Sequence, residues 1–366
     1  MTAGVYLHIP FCKSRCSYCD FATDVYRDGG VVTRYIDALR TEISNFEFEI
    51  SDPTDTVYFG GGTPSLLTPE QVERILATVR EKVDVASNAE ITMEMNPATV
   101  TPETLAGYRE LGVNRASFGV QTFNDHALKL LARGHDANDA RNTFRLLREA
   151  GFTNISFDLI AGLPGQTMED WTQNLEEAVV LSPEHISLYL LEIHESTPLA
   201  EQVRSGRQPD PDDDLAAEMY EVMLDRLAAA GYEQYEISNF SKPGFESRHN
   251  SKYWRLDPVY GFGVSAHSFD GKQRYANEGD AAKYVNAIEK SESAEVMREN
   301  VDLASESTFL GLRMEDGIEL TDSLTTSHRD EIDDLRERGL VEIVDKRLRL
   351  TRKGKLFSND VFAVFV

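Results

Sequence analysis

Residues 5–21 read VYLHIPFCKSRCSYCDF: a short apolar strand runs into a loop carrying Cys12, Cys16 and Cys19, the three cysteines of the chain, at C-x3-C-x2-C spacing. Iron–sulfur clusters take one thiolate per iron, so three thiolates can anchor a four-iron cube and leave its fourth iron open to a small molecule. Structural zinc needs four protein ligands, and His8, which precedes the first cysteine, lies in a YLHIP run that reads as strand. A disulfide would leave one thiol over in a chain that shows no secretory signal. Zinc and three unrelated core cysteines stand as the competing readings. Phe11, Tyr18 and Phe21 crowd the loop with rings able to keep water from a redox centre.

Working outward from this loop, β-rich runs alternate with helix-length segments, the pattern of a parallel α/β fold. The first strand is Val5 to Ile9, and a helix follows over residues 33–47. Further strands are expected at Asp55 to Phe59, Glu90 to Met95, Arg115 to Gly119, Asn154 to Leu159 and His185 to Leu190. Thr68-Pro69 followed by Glu70 and Gln71 has the chemistry of a helix start. Six strands in βα order predict a barrel, closed or incomplete, whose chemistry gathers where the strands end.

The residues at those ends are polar or small. The second strand runs into FGGGTP, where Gly60, Gly61 and Gly62 let backbone approach a ligand closely. This turn has neither the GK[ST] of a Walker loop nor the G-x-G-x-x-G of a dinucleotide turn. Glu94 ends the third strand in EMNP, Gln121 follows the fourth in SFGVQTF, Arg133 lies in LARGH, and Asp158 in the fifth runs into AGLPGQT. A lone strand-end carboxylate is usually an ion-pair partner or a cap. Recurrence at successive strand ends argues for one shared polar pocket.

With 366 residues, 41% of them apolar, the chain can bury a full core. No run of eighteen apolar residues appears and the start, MTAGVYLHIP, has no basic region before an apolar stretch, so a cytoplasmic protein that is not integral to a membrane is expected. A net charge of −25 argues against nucleic acid as a partner.

Taken together, YLHIPFC-x3-C-x2-C, GGGTP, EMNP, SFGVQ, LARGH and FDLIAGLPGQT resemble the radical SAM proteins, and among them the branch of the oxygen-independent coproporphyrinogen oxidases and the HemW heme chaperones. The resemblance covers most of the chain. It implies a partial (β/α)6 barrel over 1–208, with S-adenosylmethionine (SAM) chelating the open iron of a [4Fe-4S] cluster. Carried over by position, it makes Cys12, Cys16 and Cys19 the cluster ligands and sets Tyr6 and Tyr18 beside the cofactor. It also implies that Gly61, Gly62 and Thr63 line the methionyl end, and that Glu94, Gln121, Arg133 and Asp158 are further SAM contacts. The chemistry implied is reductive cleavage of the sulfonium to a 5′-deoxyadenosyl radical, a reactivity that belongs to the cofactor.

Within the branch, the oxidase motif continues to a further cysteine where this chain has Phe21, and the oxidase carries an extension ahead of its first strand whereas here Tyr6 is near the start. Residues 249–254 read HNSKYW, matching the HNxxYW motif of the chaperones. The resemblance therefore implies heme as ligand, His249 as its residue, and an apo-hemoprotein as acceptor, such as a membrane-bound respiratory component. By chemistry alone, imidazole ligates heme iron, Tyr253 and Trp254 could pack on a porphyrin, and Arg248, Lys252 and Arg255 could meet its propionates. A lone histidine beside aromatics is more often structural. Residues 209–299 are expected to connect the barrel to 300–366, where a helix around Arg329 to Arg338, a VEIV-DK-RLRL hairpin and a helix from Thr351 have the order of a winged helix. Acidic residues outnumber basic ones there, so it reads as a docking module, expected over the barrel opening, rather than a DNA binder. The two functions that remain are a heme chaperone and a decarboxylating porphyrinogen oxidase.

Overall fold

A computed structural model describes residues 2–25, 29–48 and 52–366. Strand β1 (Gly4–Ile9) alternates apolar Val5, Leu7 and Ile9 with Tyr6 and His8. That period of two gives the strand one face for helices and one for a polar interior. The pattern recurs in β2 (Thr54–Gly61), β3 (Val85–Met95), β4 (Arg115–Gln121), β5 (Ile155–Ala161) and β6 (His185–Leu190), which lie side by side in sequence order, all parallel. Helices α1 (Gly29–Asn45), α2 (Pro69–Lys82), α3 (Pro102–Glu110), α4 (Ala137–Glu149) and α5 (Met168–Leu181) alternate with them. Their buried residues, among them Ile36, Leu76, Leu105, Leu147 and Trp171, join Val5, Val57, Met93, Phe118 and Phe157 in one apolar core. The barrel predicted from the strand spacing is present; the sixth strand has the expected bounds and the others differ by one to five residues at their ends.

The helix starts follow local chemistry. Thr68 accepts the Gln71 amide while the Gln71 side chain accepts the Thr68 amide, and Pro69 stands at N1. Such a capping box satisfies amides that the first helical turn leaves without partners.

The segment after β6 does more than connect. Helix α6 (Asp213–Ala229) precedes a hairpin, β7 (Glu233–Glu236) and β8 (Asn239–Ser241), whose second strand pairs antiparallel with β6. Helix α7 (Arg248–Arg255) leads to β9 (Val259–Phe262), which pairs parallel with β1 on the side away from β2. Strands β10 (His267–Phe269), β11 (Gln273–Asn277) and β12 (Glu295–Asn300), with helix α8 (Ala281–Glu289) before the last, extend the same sheet antiparallel. Among the described residues the sheet therefore runs β12-β11-β10-β9-β1-β2-β3-β4-β5-β6-β8-β7. An open sheet curled into a six-stranded barrel gains an arm at each edge, which covers edges that would otherwise be free to pair.

Beyond β12, helix α9 (Leu303–Arg313) begins a module with helices Asp322–Ser327 and Arg329–Glu337, a hairpin Val341–Val344 and Arg347–Leu350, and a strand Ile318–Glu319 that completes a three-stranded antiparallel sheet. The expected hairpin and helix order is present, and the module has a small apolar core of its own. Glu315 donates its amide to the Tyr235 carbonyl at 3.0 Å, and Arg352 reaches Asp225 on α6 at 2.5 Å. The module thus rests on the hairpin edge and on α6.

Candidate functional site

The loop after β1 is fastened by backbone and side-chain bonds to two other strand-end segments. The Ser17 amide donates to the Leu131 carbonyl at 2.9 Å and its hydroxyl to that of Leu130 at 3.1 Å, while Leu199 donates to Ser17 at 2.8 Å. His8 Nε2 lies 2.9 Å from the Ala22 carbonyl, tying the far end of the loop back to β1. On this frame Cys12, Cys16 and Cys19 are all reduced and partly exposed. Burial raises the pKa of Cys12 and Cys19, and neighbouring thiols raise both further.

Several of the expected cofactor residues are linked by hydrogen bonds at the strand ends. Thr63 donates to the Cys12 sulfur at 3.5 Å and accepts from Asn96 Nδ2 at 2.8 Å. Arg133 donates to Asn96 Oδ1 at 2.7 Å, to the Gly119 carbonyl at 2.6 Å, and to both Cys16 Sγ and the Tyr18 hydroxyl at 3.5 Å. Glu94 accepts from the Gly61 amide at 3.1 Å and from the Tyr58 hydroxyl at 2.7 Å. Burial pushes its carboxyl up to about 7 against the pull of those two donors. Asp158, bonded to Ser187, is also raised by burial, with Arg115 and Arg133 opposing. Gln121 sits at φ 65 where the register shifts between β4 and β5. A left-handed non-glycine at a bulge beside a polar pocket is a common way of re-aiming a side chain. Tyr6 points inside the barrel, 3.2 Å from His8 Nδ1 and ring-stacked near Tyr58.

Asn96, His8 and Tyr58 belong to this site and escaped the reading of single motifs. His8 and Tyr58 follow from the strand period: Tyr6, His8, Tyr58, Thr92, Glu94 and Asp158 share the alternate positions of their strands, whereas Asn96 lies just past the end of β3. Arg115, the same in register as Thr92, is 1% exposed inside the barrel, and its Nε and Nη1 have no protein partner. A cleft bounded by Lys13, Cys16, Thr63, Asn96, Arg133 and His135 opens to solvent.

The donor set suits a cluster with SAM. Among the described residues no group of three His, Cys, Asp or Glu side chains converges on the point a single ion would occupy. A cube takes its thiolates at separate irons, so its ligands stand apart. Hydrogen-bond donors already aimed at two sulfurs would tune such a centre. A buried carboxylate at Glu94 is a fitting partner for a cationic amino acid.

His249 stands elsewhere. It is the second residue of α7, 1% exposed, at the opposite end of the barrel, stacked on Tyr58 with centroids 4.9 Å apart. Its Nδ1 lies 2.9 Å from Thr56 Oγ1 and its Nε2 3.2 Å from the Tyr253 hydroxyl. Glu90 accepts the amides of Arg248 and His249 at the helix start. Burial, with Lys252 nearby, pushes the imidazole down to about 3. With both nitrogens engaged, the ring has no lone pair to offer in this arrangement. Arg248 and Lys252, expected near propionates, pair instead with Asp55 at 3.1 and 2.8 Å.

Comparison with known proteins agrees with the geometry. Residues 6–178 match the model of the radical SAM superfamily, and 300–357 match that of the HemN C-terminal domain. The chain is 36% identical over 377 residues to the heme chaperone HemW of Bacillus subtilis, covering 99% of each chain. It is 37% identical to the heme chaperone HemW of Lactococcus lactis over 99% of this chain and 97% of that one. The coproporphyrinogen III oxidase HemN of Escherichia coli, a radical SAM enzyme, shares the fold with TM-score 0.86 at 24% identity, over 100% of this chain and 90% of that one. No helix among the described residues is long and apolar enough to cross a membrane. A relation at this identity over nearly the whole length places the chain in the HemW family of the radical SAM superfamily.

Proposed function

We propose that this chain is a heme chaperone, holding a [4Fe-4S] cluster through Cys12, Cys16 and Cys19, binding SAM at the strand ends, and passing heme from His249 to an apo-hemoprotein. The observation that carries this reading is the full-length similarity to curated heme chaperones, joined to Phe21 at the place of the oxidase's further cysteine. The bound cluster and SAM would together supply one-electron cleavage chemistry or, uncleaved, a closed and inert iron.

The chain's own residues bind and orient. Thr63 hydrogen-bonds to the Cys12 sulfur, which favours its thiolate, and Arg133 hydrogen-bonds to the Cys16 sulfur. Arg133 also fixes Asn96 and the Gly119 carbonyl, which keeps the third and fourth strand ends in register with the loop. Glu94, raised to about 7 by burial, is partly protonated near neutrality, and a cation beside it would favour the ionised form. Tyr18, packed against the Leu131, Ile160 and Leu163 cluster, walls one side of the loop from water.

Titrating heme into anaerobic, cluster-loaded protein tests the reading, with coproporphyrinogen III and SAM as the second arm. A Soret band that His249→Gln lacks, and no protoporphyrinogen formed, is the expected pair of results. Turnover to protoporphyrinogen would instead make the chain an oxidase.

A further inference from the structure

Helix α7 has two faces. One turns His249 and Tyr253 into the barrel; on the other, Trp254 lies under Arg313 of the C-terminal module, the guanidinium carbon 4.2 Å from the ring centroid. Arg313 Nη2 also meets the buried Glu236 carboxylate at 3.1 Å, on β7. A second tie runs through the same hairpin. The Tyr235 hydroxyl accepts the amide of Ser247, the cap residue of α7, at 3.3 Å, while the Tyr235 carbonyl accepts the Glu315 amide. Tyr235 thus bonds both the module and the helix, and Glu236 holds the arginine that covers Trp254.

The contact between module and barrel is mostly polar. The module's apolar cluster, built on Leu312, Leu335, Leu340 and Leu348, is separate from the barrel core; Ile237 of the hairpin packs against it, and Leu356 of the module packs against the barrel core. Elsewhere the seat consists of polar contacts such as the Arg352 ion pair with Asp225 and the hydrogen bond from Lys355 Nζ to Gln234 Oε1 at 2.6 Å. An interface of this kind separates far more readily than a shared apolar core.

We propose that the C-terminal module is the cover of the heme site: seated, it holds α7 with His249 locked inside the barrel, and displaced, it frees the helix to present His249 to heme iron. This rests on the assignment of heme to His249. A ligand that binds the open form alone has its affinity lowered by the fraction of molecules open, so loosening the seat speeds and strengthens uptake.

The test uses the full-length protein with its cluster, as wild type, Arg313→Ala and Arg352→Glu. Arg352 is exposed and contacts α6, so its reversal repels Asp225 and Glu221 without disturbing the barrel interior. Modification of His249 by diethyl pyrocarbonate, read by mass spectrometry, and stopped-flow uptake of hemin are followed in each. Both rates are expected to rise about tenfold in both variants, with His249→Gln abolishing uptake throughout. A His249 that stays protected while module amides exchange faster in the variants overturns the cover. Should His249 open to the reagent while no form takes hemin, the cover stands and the heme assignment falls. Hemin uptake at one rate in all forms, with His249 protected, defeats the cover and leaves heme binding to other residues.

Discussion

A methyl group at position 62 would land 2.7 Å from the carbonyl oxygen of Pro10 and 2.9 Å from that of Phe11, both backbone atoms of the cysteine loop. Neither can rotate away, so Gly62→Ala is expected to displace the loop and to cost about 1–3 kcal/mol, as overpacking does. Thermal melting and iron content per chain check it: a small loss of Tm with a large loss of bound iron is the expected pattern. Glu94 makes a second prediction. Because its pKa is raised to about 7, protons compete with a cationic ligand on the acid side of neutrality. The affinity for SAM should therefore strengthen between pH 6 and pH 8, by up to about tenfold, and Glu94→Gln should flatten that dependence in calorimetric titration. At this scale the cysteines, Gly61, Thr63, Glu94 and Arg133 were legible because each stands at a strand end in a distinctive local motif. Arg115 was not, since a guanidinium opening a strand reads as solvent-facing until the strand is known to curl around it.

Among elements, α1 is held to the sheet arm by a buried carboxylate. Glu42 accepts from the Tyr284 hydroxyl of α8 at 2.6 Å and from the Gly263 amide at 2.9 Å, and also binds Asn277 Nδ2. Tyr35, on the same helix, donates to the His8 carbonyl at 2.7 Å and accepts from Val264, so this bolt reaches the strand that leads into the cysteines. Burial raises the Glu42 carboxyl to about 7 from its usual 4.5. A raised carboxyl binds its proton more tightly in the folded state. Its contribution to stability is then full below about 4.5 and is lost as pH climbs through about 7, a difference of about 3 kcal/mol. Glu42→Gln should narrow the gap in Tm between pH 5 and pH 8; an unchanged gap would mean that the carboxylate is not buried as described. Strands β1 to β6 were legible through their strict alternation and the capped helices between them. The arm β9 to β12 was not: Gly261, where a Cβ would meet the His267 carbonyl oxygen at 2.3 Å, interrupts the pattern by close backbone approach, and Glu295–Asn300 is mostly polar.

For the whole molecule, one end of the barrel carries the sulfur loop and its polar residues, and the other is closed by α7 with the module braced against it. The order of elements in the module could be read from its turns and periodicity. Its seat could not, because Arg313 on Trp254 and Arg352 on α6 are long-range contacts with no local pattern. The central claim is that three thiolates hold a cubane whose fourth iron is free for SAM. Electron paramagnetic resonance of the anaerobically reduced protein, recorded before and after addition of SAM, tests it most directly. The expected result is a four-iron signal that SAM shifts and that is lost in Cys16→Ser; a spectrum without any cluster signal after reconstitution with iron and sulfide, or one that SAM leaves untouched, would contradict the account.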